Sequence, residues 1–266
     1  MNTLNNQVAI VTGAGHPKGI GYAIATKLAE QGAHVVLTDL ENTKTDLEAG
    51  AAEIAKTGVE TLALCVDICD RSQIEKALEQ IQARFGRIDI LVNNAGVALG
   101  SAEFTELTDK DWDLSYQVNL KGTANFCQAI IPALKTQGGG SIINVASLAG
   151  LGAIASIPAN YTATKFAVVG LTKQLSINYA ADNIRVNAVC PGSIVTQMHQ
   201  TALELIASEQ GISLDAAQRL EDAHIPLGYS AQPSAIGDTV AYLAGPQASY
   251  LTGVALPIAG GMAPGL

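Results

Sequence analysis

Charge is scarce in this chain, and aromatic rings are scarcer. Only 15% of the residues are charged and 5% aromatic, with a single tryptophan. Lysine and arginine total 15 against 24 acidic residues, a net charge of −9, and no basic cluster offsets it. Such a surface repels a phosphate backbone, so no nucleic-acid partner is expected. No run approaches the roughly 20 apolar residues of a membrane span. The opening Met1–Gln7 has neither a basic segment nor a long apolar core, so no signal peptide is expected and the cytoplasm is the expected location. The four cysteines, Cys65, Cys69, Cys127 and Cys190, lack metal-type pairing. Cys65-x-x-x-Cys69 is the one close pair, and no histidine or second cysteine pair accompanies it. No metal site is expected, and Cys65, Cys127 and Cys190 read as buried reduced thiols in apolar surroundings. Linkers, low-complexity runs and repeats are missing too, so residues 1–266 read as a single domain.

What the chain does have is apolar material, 48% of its residues, and 26 glycines. Val8–Val11, Val35–Asp39, Thr61–Asp67, Ile88–Val92, Ser141–Ala146, Ile184–Cys190 and a segment around Gly253–Ile258 read as strands. Helical patterns lie between them: to Gln31, over 42–57, over 71–85, from Asp109 to about Thr136, and from near Ala159. Continuously apolar strands alternating with helices predict a parallel sheet covered on both faces, a doubly wound α/β domain. Ligands of such sheets bind beyond the carboxyl ends of the strands. Gly13, Asp39, Asp67, Asn94, Ser147 and Pro191 all fall at those predicted ends.

Several of these ends carry recognisable chemistry. Gly13, Gly15, Gly19 and Gly21 lie between the first strand and its helix, where backbone can approach a pyrophosphate, although their spacing is not G-x-G-x-x-G. Asp39 follows Gly21 by eighteen residues at the end of the second strand, placed to accept from both ribose hydroxyls of an adenosine and to repel a 2′-phosphate. Lys18 points the other way, as a cation that could attract that phosphate, so NAD is expected and NADP stays open. Asp67-Ile68 could hold the adenine edge or cap a helix. Asn93-Asn94-Ala95-Gly96 offers small residues for a ribose and nicotinamide. Tyr161 and Lys165, four apart on a helix, share one face. At about 5 Å and an effective dielectric near 20, the ammonium favours the phenolate by about 3 kcal/mol, or about two pKa units. That predicts a tyrosine lowered toward neutral pH, fit for acid–base work.

Together, Thr12-Gly13 to Gly19-Ile20-Gly21, Asn93-Asn94-Ala95-Gly96, Asn119, Ser147, Tyr161-x-x-x-Lys165 and Pro191-Gly192-Ser193-Ile194-Val195-Thr196 resemble the short-chain dehydrogenase/reductase family over essentially the whole chain. The resemblance implies a Rossmann-type domain with seven parallel strands, a homotetramer, and hydride transfer between nicotinamide and a carbonyl or alcohol. It implies that Tyr161 exchanges the substrate proton. Lys165 would lower the tyrosine pKa and bind the nicotinamide ribose, and Ser147 would hold the substrate oxygen. Asn119 would anchor a water relay to the lysine. Pro191, Gly192, Ile194 and Thr196 would pack on nicotinamide and fix its carboxamide. With the glycines, Lys18, Ile20, Asp39, Leu40, Asp67, Ile68, Asn94, Ala95 and Gly96, these form the expected cofactor set.

The chain departs from the family pattern in three places. Its glycine loop has two extra residues around His16-Pro17, and Ser147 precedes Tyr161 by fourteen positions, one more than usual. Tyr229 also stands where an arginine normally follows Ile225–Gly228. Thr196 to Ile225 should form a substrate lid, of a length that resembles the polyol, diol and acetoin dehydrogenases. Ala98, Leu148, Ala149, Ile157, Asn160, Ile194, Met198 and His199 are the expected pocket residues, with Ser147. They are mostly apolar, which favours a small neutral secondary alcohol or ketone. His199 also has a catalytic reading, but an exposed lid histidine is preferred. Residues 201–222 read as one amphipathic helix, and Trp112 and Tyr116 as packing on the long helix. The tail Gly260–Leu266 reads as a frayed end or a subunit contact. Two other functions stay open: an NADPH-dependent 3-oxoacyl thioester reductase, and a redox sensor that binds dinucleotide without turnover.

Overall fold

The computed structural model describes residues 3–263. Seven strands form one sheet in the order β3-β2-β1-β4-β5-β6-β7: β1 Val8–Thr12, β2 His34–Asp39, β3 Thr61–Cys65, β4 Ile90–Asn93, β5 Gly140–Val145, β6 Ile184–Pro191 and β7 Ala255–Ile258. Every neighbouring pair is parallel. Alternate strand residues feed opposite faces, as the pleat requires. On one side Ala9, Val11, Val35 and Leu37 pack with α1 (Ile20–Glu30), α2 (Lys44–Ala55) and α9 (Pro233–Ala244). On the other, Val8, Ile10 and Val36 pack with α3 (Arg71–Phe85) and α5 (Thr123–Gln137). This is the doubly wound Rossmann-type sheet expected, and strand ends differ from expectation by one or two residues.

Local signals account for most boundaries. Asp70 caps α3 by accepting from Ser72 N–H, and left-handed Gly86 closes the helix. Thr108 and Asp111 form a reciprocal capping box at α4 (Asp109–Ser115). Three readings need correction. The long helix expected over 109–136 is not uniform, because a π-helical stretch, Tyr116–Gly122, separates α4 from α5. The single helix expected over 201–222 is two, α7 (Gln197–Gln210) and α8 (Leu214–Asp222). Gly211 at φ 63° ends the first, and the Ser213 side chain starts the second. Cys65 is half-buried rather than buried because β3 is an edge strand; all four cysteines are free. Among the described residues no helix is long and apolar enough to cross a membrane, and no group of three or more His, Cys, Asp or Glu could hold a metal ion.

Candidate active site

β1 and β4 are neighbours, but the chain leaves them toward opposite sides of the sheet, which opens a crevice at their carboxyl ends. Side chains stitch its floor. The Thr12 hydroxyl accepts from Asn94 N–H and Ala95 N–H, both at 3.0 Å. The Asn94 amide donates to the Thr12 and Gly13 carbonyls at 2.8 and 3.0 Å. Gly13 takes φ +66°, and a Cβ there would stand 2.8 Å from Ala95 Cα. A Cβ on Gly21 would collide with the Gly13 carbonyl oxygen, so α1 approaches β1 only because both positions are bare. No side chain caps α1, which leaves its first-turn N–H groups for an anion. Two expected phosphate donors are otherwise engaged: Gly15 N–H donates to Asp39 at 2.8 Å, and Gly19 N–H to the His16 carbonyl at 2.8 Å. Ile20 opens α1 and packs partly into the core. Lys18 is exposed and makes no ion pair among the described residues.

Asp39 closes the other end of the crevice. Its two carboxylate oxygens accept from Gly15 N–H and Leu40 N–H, each at 2.8 Å, fixing its orientation at the tip of β2. Leu40 is 48% exposed beside it. Asp67 caps a local turn by accepting from Cys69 N–H at 2.8 Å, while Asp70 caps α3. Ile68 is buried, with its side chain against Gly122 of the π-helical stretch. Asn94 likewise spends its amide on the floor, leaving the backbone of Asn94–Gly96 to face the crevice.

Ser147, Tyr161 and Lys165 meet where β5 ends and α6 (Ala159–Tyr179) begins. Ser147 accepts from Ala149 N–H at 3.1 Å, which leaves its own proton to donate. The Lys165 ammonium lies 5.5 Å from the centre of the Tyr161 ring and donates to the Val145 carbonyl at 3.0 Å. A Cβ at Gly96 would stand 3.3 Å from that ammonium and 3.2 Å from Asn119 Oδ1, so glycine keeps the space above both open. The expected lowering of the tyrosine pKa is not found. Burial pushes the phenol above its ordinary value, and the Ser147 hydroxyl only partly opposes this. Burial also pulls Lys165 down to about 8. Helical spacing puts the pair on one face as predicted, but the same packing desolvates both groups and penalises both charged forms. Asn119 lies in the π-helical stretch, 1% exposed, accepting from Val97 N–H at 2.8 Å and donating to the Val97 carbonyl at 2.9 Å.

The expected pocket residues separate into two groups. Met198 is 54% exposed, Ala98 is exposed and Ile157 half-buried. Leu148 and Ala149 are buried beneath the crevice at 1% and 0% exposure, and Ile194 is buried in the core. These are corrections, as is Asn160, whose fully buried side chain binds protein groups on every polar atom. His199 is not an exposed lid residue either. Its ring is 8% exposed and lies 3.2 Å from the Glu221 carboxylate, off the line of a hydrogen bond. Ser193 donates to the other Glu221 oxygen. Pro191 pairs with Ile258, Gly192 N–H donates to the Ile258 carbonyl at 3.0 Å, and Thr196 caps α7. Of the tail, Met262 packs near Gly192, while residues 264–266 lie outside the described residues.

Sequence reasoning passed over the Thr12 hydroxyl, Thr164 and Glu221. Thr12 and Thr164 sat inside quoted motifs, but Glu221 carried no signal, since a glutamate near a helix end reads as solvated.

Four likenesses bear on this geometry, one to a family model and three to known proteins. A family model described as enoyl-(acyl carrier protein) reductase matches residues 13–263. The 3-oxoacyl-(acyl-carrier-protein) reductase FabG of Thermotoga maritima is 36% identical over 259 residues, 97% of this chain and 98% of that protein. Among solved structures, NAD+-bound xylitol dehydrogenase superposes with a TM-score of 0.90 at 31% identity, over 97% of this chain and 99% of that one. The L-sorbose reductase of Gluconobacter frateurii, complexed with NADPH and L-sorbose, gives 0.90 at 29% identity over 98% of both chains. The chain belongs to the short-chain dehydrogenase/reductase family of NAD(P)-dependent oxidoreductases that act on CH–OH and carbonyl groups.

Proposed function

We propose that this chain is an NAD-dependent oxidoreductase of a small neutral secondary alcohol or ketone, of diol, polyol or cyclic-alcohol type, with Tyr161 as general acid–base. The convergence of Ser147, Tyr161 and Lys165 beside bare Gly96 carries the reading. Ser147 holds the substrate oxygen with its hydroxyl proton. Tyr161 gives a proton to that oxygen in reduction and takes one in oxidation. Lys165 binds the ribose hydroxyls in the space that Gly96 leaves, and Asn119 holds the wall at Val97 and anchors the water path to the lysine. The glycine loop and α1 receive the pyrophosphate. The dinucleotide, when bound, supplies or accepts a hydride at the substrate carbon. Asp39, oriented by two N–H donors at the ribose end, supports NAD over NADP.

The expected pocket residues that remain exposed or half-buried, Ala98, Ile157 and Met198, bring no charge to a substrate, and two structural relatives are a xylitol dehydrogenase and an L-sorbose reductase. A second reading is favoured by one observation, the 36% identity to the Thermotoga FabG: an NADPH-dependent 3-oxoacyl thioester reductase, to which Lys18 would contribute. The homotetramer usual in the family is part of the proposal. A panel of xylitol, other polyols, diols, cyclic alcohols and 3-hydroxyacyl thioesters with NAD+ and NADP+ separates the readings. Tyr161→Phe in the same panel should keep NADH binding while turnover falls at least about 100-fold. Near-normal turnover would remove the tyrosine from the mechanism, and a wild type that binds dinucleotide yet turns over nothing would favour a sensor.

A further inference from the structure

Asn160, immediately before Tyr161, is 0% exposed. Its amide nitrogen lies 3.0 Å from three acceptors: the Leu99 carbonyl, the Asp111 carbonyl and the Ser115 hydroxyl. Its carbonyl oxygen accepts from Tyr161 N–H at 2.8 Å. Pro158, the residue that precedes α6, offers no side-chain cap, so this first-turn donor would otherwise be orphaned. The Tyr161 carbonyl is held as well, accepting from the Thr164 hydroxyl at 2.9 Å, and Thr164 in turn accepts from Asn119 at 3.1 Å. Two buried asparagines therefore grip one segment. Asn119 holds Val97 through both of its backbone groups, and Asn160 holds Leu99 two residues on. Between them they fix the Tyr161 backbone from both sides.

We infer that Asn160 is a positioning residue for proton transfer, setting the Tyr161 ring relative to the crevice wall at residues 97–99 and to α4. The inference rests on Tyr161 being the acid–base group. A buried amide costs free energy unless every polar atom is satisfied, and here all are. Beyond its own helix its partners lie on two other segments, the loop at Leu99 and α4, which a residue serving only local helix stability would not need. Losing it lets α6 rotate against the wall, and a displacement near 1 Å at a reacting group lowers turnover by about 100-fold.

The test compares Asn160→Ala, Asn160→Asp and Tyr161→Phe with Asn187→Ala. Asn187 is another fully buried asparagine, in the middle of β6 and bonded to Leu251 and Val254 just before β7. Melting temperature, NADH affinity, and kcat and KM are measured on the fastest alcohol of the panel, with xylitol as the starting probe. Asn160→Ala should lose about 100-fold in kcat while its NADH affinity stays within about twofold. Asn187→Ala should lose comparable melting temperature with kcat near wild type. Asn160→Asp keeps the acceptor for Tyr161 N–H but turns a second oxygen toward two carbonyls. Its kcat relative to wild type should recover as pH falls and the acid becomes a donor, which serves as the test should the alanine variant not fold. The inference is overturned if Asn160→Ala keeps kcat within about threefold while Tyr161→Phe is inactive, if Asn187→Ala loses as much kcat, or if the aspartate variant shows no pH-dependent recovery. An active Tyr161→Phe would instead defeat the tyrosine reading itself.

Discussion

Replacing Lys165 by methionine should abolish turnover and yet make the cofactor-free protein more stable. The ammonium is 4% exposed, donates to the Val145 carbonyl at 3.0 Å, and has no carboxylate partner among the described residues. Burial lowers its pKa from 10.5 to about 8. At about 1.4 kcal/mol per pKa unit, that fall costs the folded state about 3 kcal/mol at neutral pH. Methionine fills similar space without the charge. The variant forfeits one hydrogen bond, about 1 kcal/mol, and the contact over the Tyr161 ring, about 0.5–1 kcal/mol. A net gain of about 1–2 kcal/mol remains, which for a chain of this size raises the melting temperature by about 2–8 °C. The sign of the pH dependence follows from linkage. Between pH 8 and 10.5 the unfolded chain binds the lysine proton and the folded chain has released it, so wild-type stability rises with pH across that window. The penalty is complete below that window and gone above it. Paired urea unfolding of wild type and Lys165→Met without cofactor, at neutral pH and near pH 10, measures both effects. A variant less stable than wild type at neutral pH, or a stability gap that ignores pH, would refute the reasoning.

Asp39→Ala should raise NADPH use relative to NADH, read as the ratio of kcat/KM for the two cofactors; a wild type that already prefers NADPH would show that Lys18 outweighs Asp39. Glu221→Ala should loosen the segment 196–225 that is proposed as the substrate lid. The carboxylate accepts from Ser193 on the loop after β6 and lies 3.2 Å from His199 on α7, and a hydrogen bond to a charged group of the Ser193 kind is worth about 1.5–3 kcal/mol. KM should rise several-fold with kcat little changed, and proteolysis within the lid should accelerate. Burial alone would raise the Glu221 pKa, but His199 and Ser193 hold it below its ordinary value. Its contribution is therefore present above the usual carboxylate range and lost only as pH falls through the lowered value, so limited proteolysis of wild type should quicken only in acid. Cleavage independent of pH would argue against the latch.

The fold was legible because its signals are local and repeated. Continuously apolar strands such as Val8–Thr12 and helix caps such as Asp70 and Gly86 are each read within a short stretch, and a chemistry-bearing residue recurs at successive strand ends. What failed locally were features set by neighbours in space. The π-helical turn at Tyr116–Gly122 brings bare Gly122 against Ile68, and no period within 109–136 shows that fit. Ile194, placed in the pocket by its motif, is drawn into the core, and the next residue's N–H, that of Val195, donates to the Ala231 carbonyl at 2.9 Å.

By itself the sequence determined the parallel sheet, the crevice at its carboxyl edge, and the placement of Ser147, Tyr161, Lys165 and Asp39 along that edge. Hydrophobic period, strand-end chemistry and i,i+4 helical geometry all act over short distances along the chain. Tertiary structure alone decided the ionisation of the site and the jobs of its polar side chains. Burial outweighs the attraction between Tyr161 and Lys165, and Asn94 and Asn160 spend their amides on backbone groups. Glu221 reaches across from α8 to Ser193 and His199. Desolvation and hydrogen-bond satisfaction depend on what packs around a group, and residues distant in sequence supply that packing.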